Sequence, residues 1–220
     1  MAGTCARRPR GLLQRLAALW PRRDPRLDRP VAETRFVVLD TETTGLYAYA
    51  GDQVVAIAVL ELEGLVPTGR HWSSLVNPGR PIPAEATAIH GITDEQVAGA
   101  PALDTVLPVV DAFLADAPLV GHHTAFDLRF INRARRRAGR PPLRNPVLDT
   151  MLLYLATSGR LGHYTLEEVA GACGVTIRHR HTALGDARAA ADIFACLVPR
   201  LVDPQRPLRS LLAAQRQAGP

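Results

Sequence analysis

Lysine is absent from this sequence. All 26 basic residues among its 220 are arginine. Cysteine is scarce as well: Cys5, Cys173 and Cys196 form no CxxC pair and leave an odd one over. That argues against a disulfide framework and against a cysteine zinc site, and it fits a reducing, cytoplasmic setting. No apolar run approaches the roughly 18 residues that a bilayer span requires, which excludes an integral membrane protein. What is present is the material of a globular domain. Hydrophobic residues make up 47% and charged residues 21%, enough apolar surface for a core and too little charge for wholesale disorder.

Charge is unevenly placed. The first 35 residues carry nine arginines against three acids, a surplus of six, while the whole chain carries +5. The body beyond Arg35 is therefore close to neutral, with one net negative charge. Residues 1–34 read as a flexible Arg/Pro-rich extension. Within it Leu12, Leu13, Leu16, Leu19 and Trp20 fall largely on one side of a short helix that Pro21 ends. The extension is either a simple overhang or a basic amphipathic contact for a partner or an anionic surface. Gln14 and Arg15 interrupt the apolar segment that a secretory signal needs. The abundance of arginine, alanine, proline and glycine fits a GC-rich coding sequence, so each arginine is not by itself a phosphate ligand.

The body opens with Phe36-Val-Val-Leu39, a buried strand. Further strands are expected at Val54–Leu62 and Trp72–Val76, joined by short turns that favour antiparallel neighbours. Helical periodicity runs over Asp104–Leu114. A short strand at Pro118–Val120 leads into a helix over Phe126–Arg137, and another at Val147-Leu148 into a helix over Thr150–Ala156. Two more helices cover Leu166–Cys173 and Asp186–Leu197. Strands first, then β-α-β-α alternation, describe an α/β sheet with helices packed on it. Residues 35–200 form this domain, and residues 201–220 read as a tail with one short apolar stretch at Leu208–Ala214.

Three acidic segments carry the chemistry. Asp40 and Glu42 end the first strand, and residues two apart face the same side. Two carboxylates there repel, and a hard cation with oxygen ligands, magnesium or manganese, relieves the repulsion. A solvated loop is the plainer alternative for an isolated pair. Asp127 begins a helix after Gly121-His-His-Thr-Ala-Phe126, and capping would account for it equally well. Asp186, in His181-Thr-Ala-Leu-Gly-Asp186, opens the last long helix, with His181 as a titratable base in the same segment. Capping does not explain the set taken together.

The ordered motifs Asp40-Thr-Glu42-Thr-Thr-Gly, Ile89-His-Gly-Ile-Thr93, His123-Thr-Ala-Phe-Asp127, Asp149-Thr-Met and His181-Thr-Ala-Leu-Gly-Asp186 span about Arg35 to Pro199. They resemble the histidine-bearing branch of the DEDD 3′-5′ exonucleases, as in the proofreading epsilon subunit of bacterial DNA polymerase III. The resemblance implies a ribonuclease-H-like fold, with a mixed five-stranded sheet of three antiparallel and two parallel strands flanked by helices. It also implies two Mg²⁺ or Mn²⁺ ions held by Asp40, Glu42, Asp127 and Asp186, set to serve both ends of an in-line displacement. His181 would take a proton from the attacking water. The product would be a nucleoside 5′-monophosphate freed from a nucleic acid 3′ end, single-stranded DNA above all, with a DNA polymerase subunit as a possible partner.

Substrate contacts carried over in the same way are Thr43, Thr44, Gly45 and Leu46 against the terminal nucleotide, Ile89 and His90 beside its sugar or base, and Phe126 as an apolar wall. His90 could instead make a structural hydrogen bond, and Phe126 could be core. The family commonly shows Glu-x-Gly early in the second strand; here Ala56 and Ala58 stand in those places. Competing readings are a non-catalytic scaffold subunit, which would not need the intact acid set, and an exoribonuclease acting on short RNA. An aspartyl-phosphate phosphatase is disfavoured because its chemistry wants a downstream lysine.

Overall fold

A computed structural model describes residues 24–218. The expected helix at Gly11–Trp20 lies outside these residues. Five strands form one sheet: β1 (Arg35–Thr43), β2 (Val54–Glu63), β3 (Val66–Leu75), β4 (Leu119–Gly121) and β5 (Val147–Asp149). Their order is β3-β2-β1-β4-β5, with β1 antiparallel to β2 and parallel to β4, and β4 parallel to β5. The mixed five-stranded sheet is as expected. The third strand begins six residues earlier than Trp72, because the Val66–Leu75 segment is an edge strand whose largely polar, exposed residues hide its length from a hydrophobic pattern.

Eight α-helices accompany the sheet among the described residues: α1 (Ala84–His90), α2 (Asp94–Val97), α3 (Leu103–Leu114), α4 (Ala125–Arg137), α5 (Thr150–Ser158), α6 (Leu166–Cys173), α7 (Ala183–Leu201) and α8 (Leu208–Ala218). Neither α1 nor α2 was expected. Both are short, yet α1 has the punctuation of a helix, with Pro83 before it and Gly91 in the left-handed conformation after it (φ 71°). The last long helix starts three residues before Asp186 and runs through Pro199 to Leu201.

Strand alternation divides the core into two layers. Phe36 and Val38 of β1 face one side, where they join Leu60, Leu62, Val120 and the buried residues of α5, α6, α7 and α8. Val37 and Leu39 face the other, with Ile57, Val59, Leu119 and the buried faces of α3 and α4. The four alanines Ala187, Ala189, Ala190 and Ala191 are buried, which lets α7 lie close on the sheet. Asp40 and Glu42 continue the α7 side of β1; Thr41 continues the α4 side.

Residues 24–34 of the segment read as an extension, and the segment read as a tail, are packed parts of this body. Val31 is fully buried, and Pro30 bridges to Pro207. Leu208 and Leu211 of α8 are fully buried in the α7 layer. Gln215 closes the edge of β5: its side-chain oxygen accepts from Asp149 N–H (2.7 Å) and its amide donates to the Val147 carbonyl (3.1 Å). The apolar stretch after Pro199 is thus a core helix, and its leucines, not its arginines, decide its place. Truncation of Leu211 to alanine is expected to cost roughly 2–5 kcal/mol, the range for a buried leucine that leaves a cavity. Urea denaturation of the variant measures this; a cost under about 0.5 kcal/mol would mean that α8 is not part of the core.

Candidate active site

The carboxyl ends of the parallel strands β1, β4 and β5 lie along one edge of the sheet, where ligand sites of open α/β sheets form. Asp40 and Glu42 stand at that edge on the α7 side. Opposite them across the strand pair are Ala58 and Ala56. Those two alanines pack on Ala183 in the first turn of α7. The same helix delivers Asp186, and one carboxylate oxygen from each of Asp40, Glu42 and Asp186 lies within 4.8 Å of the others.

Asp127 arrives from the other layer. It sits in the first turn of α4 and is 3% exposed. Because α4 covers the Thr41 face of β1, the Thr41 hydroxyl donates to Asp127 Oδ1 at 2.6 Å. Asp127 is outside the tight group of three, yet after burial its charge is the largest influence raising the Asp40 pKa. Asp149, at the end of β5, fixes this entry. Its carboxylate accepts from His123 N–H (3.2 Å), Thr124 N–H (2.9 Å) and Met151 N–H (3.0 Å), joining the start of α4 to the start of α5. The His122 and His123 rings both reach the Tyr164 carbonyl, at 3.0 and 3.2 Å, and so fasten the turn to the loop before α6.

Electrostatics separate this edge from ordinary surface acid. Burial, then the charges of Asp127, Asp186 and Glu42, push the Asp40 carboxyl well above its usual range. Burial and Asp186 push Glu42 to about 7. Burial raises Asp127 to about 7 against the Thr41 bond, and raises Asp186 against Arg180. The Arg180 guanidinium pairs with Asp186 and, through its Nε, with Glu167. That pairing holds Glu167 down near 2. A single arginine thus offsets only part of the charge of four acids. This donor set of buried, mutually repelling oxygens fits a hard divalent cation.

His181 adopts the left-handed region (φ 60°), and its N–H donates to Asp186 Oδ1 at 3.3 Å. Its side chain lies on the wall of a cavity of about 260 Å³, together with His90, Ala56 and Ile92. His90 is buried, and its Nδ1 accepts from Ile92 N–H (3.0 Å), so Nε2 carries the proton in the neutral ring. Nε2 makes no hydrogen bond of normal geometry, although the Thr43 main chain lies near enough to oppose the lowering of the ring's pKa by burial. The Thr43 hydroxyl donates to the Gly45 carbonyl (2.7 Å), and the Thr44 hydroxyl to Asp52 Oδ1 (3.2 Å). Both hydroxyls thereby shape the turn. Gly45 lies so close to Asp52 that any side chain there would collide with its carboxylate. Leu46 and Ile89 stand 68% and 59% exposed, while the Phe126 ring packs at a tilt against Phe130, with ring centroids 5.1 Å apart.

An exonuclease family model, RNase_T, matches residues 37–194, a span that contains every one of these side chains. The chain belongs to this exonuclease family. It is 44% identical over 177 residues to the DNA polymerase III subunit epsilon-like protein of Rhodobacter capsulatus, covering 79% of this chain and 25% of that protein. It is 34% identical over 166 residues to the DNA polymerase III subunit epsilon of Aquifex aeolicus, covering 76% of this chain and 81% of that one. The chain therefore spans only a quarter of the Rhodobacter protein. Exonuclease X, solved in complex with 5′ overhanging duplex DNA, shares the fold with a TM-score of 0.64 at 24% identity, covering 80% of this chain and 98% of that one. Among the described residues no helix is long and apolar enough to cross a membrane.

Three contributors to the candidate site went unread in the sequence, and a fourth, Asp149, was read only as part of a motif. Thr41, Asp52 and Arg180 act through tertiary contacts that no local pattern carries, though Arg180 does adjoin His181. The role of Asp149 depends on two strand ends meeting. The acid cluster also sets a pH dependence. Between about pH 4.5 and 7 the folded, metal-free chain keeps a proton on Glu42 that the unfolded chain gives up, so this residue's contribution to stability declines as pH rises through that window. Glu42→Gln is expected to stabilise the metal-free protein by roughly 1–3 kcal/mol at pH 8, and by much less at pH 4.5. Urea titrations in chelator at the two pH values check this; an equal difference at both would contradict it.

Proposed function

We propose that this domain is a divalent-metal-dependent 3′-5′ exonuclease that releases nucleoside 5′-monophosphates, with single-stranded DNA as its preferred substrate. The observation that carries the reading is the convergence of Asp40, Glu42 and Asp186 within 4.8 Å at the carboxyl end of β1, with Asp127 adjoining from the opposite layer. Bound there, divalent ions supply the charge that offsets the phosphoryl oxygens and the departing 3′ oxygen.

The protein's own part is holding and proton transfer. Asp40, Glu42, Asp127 and Asp186 are the ligands. His181, tied through its main chain to Asp186, accepts a proton from the attacking water as the oxygen bonds to phosphorus. The bond from phosphorus to the 3′ oxygen breaks, and that oxygen leaves as a hydroxyl after gaining a proton. Leu46 and Ile89 flank the terminal nucleotide at the rim, His90 offers its unbonded Nε2–H, and Phe126 closes one side. The turn from Thr43 to Gly45 is pinned through Asp52, so it meets the substrate without reorganising.

DNA is preferred in this reading because Exonuclease X and Exonuclease I, which share the fold, were solved with DNA bound. A polymerase subunit as partner rests on the epsilon-like relatives. The test is digestion of 3′-labelled single-stranded DNA, duplex DNA with a mismatched end, and short RNA, with Mg²⁺ or with excess chelator. Mononucleotide release from single-stranded DNA, abolished by chelation, is the expected result; release in excess chelator would overturn it. Asp40→Ala and Asp186→Ala should each remove nearly all turnover while the domain stays folded. His181→Ala should lower kcat by roughly 10²–10⁴-fold, a loss that added metal does not restore.

A further inference from the structure

Beyond the carboxylate cluster the surface carries a second feature. The chain leaves the site through Leu46 and enters a single 3-10 turn, Ala48–Ala50. On either side of Ala48, Tyr47 and Tyr49 are 69% and 67% exposed, an unusual state for two neighbouring aromatic rings. Their backbone is held firmly. Asp52 Oδ2 accepts from Tyr47 N–H (3.0 Å), Oδ1 pairs with Arg80 (3.2 Å), and the Asp52 carbonyl accepts from Arg133 (2.9 Å). The Tyr49 hydroxyl accepts from Arg136 at 2.8 Å, and the guanidinium of Arg136 lies 5.6 Å from the ring centroid.

The surroundings are basic, although the body as a whole is not. The exposed Arg129 and Arg137 of α4 make no ion pair among the described residues. Position along α4 sets the distance from the chemistry. Arg136 is nine residues beyond Asp127, about 14 Å along the helix axis, so its contact with Tyr49 lies outward from the carboxylates.

We infer that Tyr47 and Tyr49, flanked by the arginines of α4, form a stacking platform for unpaired bases upstream of the 3′-terminal nucleotide. Rigidly presented aromatic rings beside cationic side chains are what a single strand binds without regard to sequence. The platform is continuous with the cleft through Leu46, and its charge complements a phosphate backbone. This inference rests on the exonuclease reading for the direction of the strand, and its test is separate from catalysis.

In chelator, where turnover stops, fluorescence anisotropy measures binding of a labelled 15-nucleotide dT strand and of the same strand with abasic sites at the upstream positions. Tyr47→Ala and Tyr49→Ala are expected to weaken binding of the dT strand by roughly 5- to 100-fold each. Binding of the abasic strand should already be weak and should change little with either substitution. Tyr47→Phe should bind as the parent does. Equal loss on both strands, no loss, or no measurable binding by the parent protein would overturn the platform. An unchanged affinity would also favour a protein segment as the occupant. Tyrosine-dependent binding without any hydrolysis in Mg²⁺ would sink the exonuclease reading and leave the platform standing.

Discussion

The repulsion among four carboxylates at the end of β1 is the constraint around which the rest is arranged. Water would screen such charges, but here Asp127 and Asp186 are almost fully buried and Asp40 and Glu42 partly so. Their pKa values rise as a consequence, and in the metal-free protein some of these groups hold protons near neutrality. The protein supplies partial relief through the Arg180 guanidinium, the Thr41 hydroxyl and the His181 N–H. It stops short of neutralising the cluster, and in the proposed function the remaining charge is what draws a divalent ion to this edge.

The fold brings the acids together by three routes. Alternation along β1 sends Asp40 and Glu42 towards α7, which delivers Asp186, and sends Thr41 towards α4, which carries Asp127. Asp149 secures the start of α4, and Gln215 secures Asp149. The α8 helix therefore supports the site from a distance. The alanines at 56 and 58 follow the same logic. They face Glu42 and Asp40 across the strand pair and pack on Ala183, so α7 can bring Asp186 near. A glutamate at position 56 would add a further acid directly across from Glu42; this chain builds its cluster without one.

Much of this was legible in the sequence, for reasons that can be named. Period-two alternation places Asp40 beside Glu42, and the apolar run before them marks a central strand. The helices carrying Asp127 and Asp186 show clear periodicity, and the ordered motifs carry the family. What escaped was set by tertiary contact or by weak local signal. The polar edge strand β3 lacks a hydrophobic stripe, and α1 is too short to show a period. Leu208 and Leu211 look like a tail until the α7 layer is there to bury them. Pro25–Asp28 and Val31–Glu33 look like linker because their partner, the chain around Pro204–Leu208, lies at the other end of the sequence.

The central claim is that the buried acids form a cation site whose charge is incompletely balanced by the protein. Calorimetric titration of Mn²⁺ into the chelator-stripped protein, repeated at pH 6.5 in two buffers of different ionisation enthalpy, tests it most directly. Metal must displace the protons that burial holds on the carboxylates, so binding should release protons at pH 6.5. The release should shrink at pH 9, where the acids with pKa values near 7 are already ionised. Saturable binding with that pattern is the predicted result. Absence of binding, or binding with no exchange of protons at pH 6.5, would contradict the account.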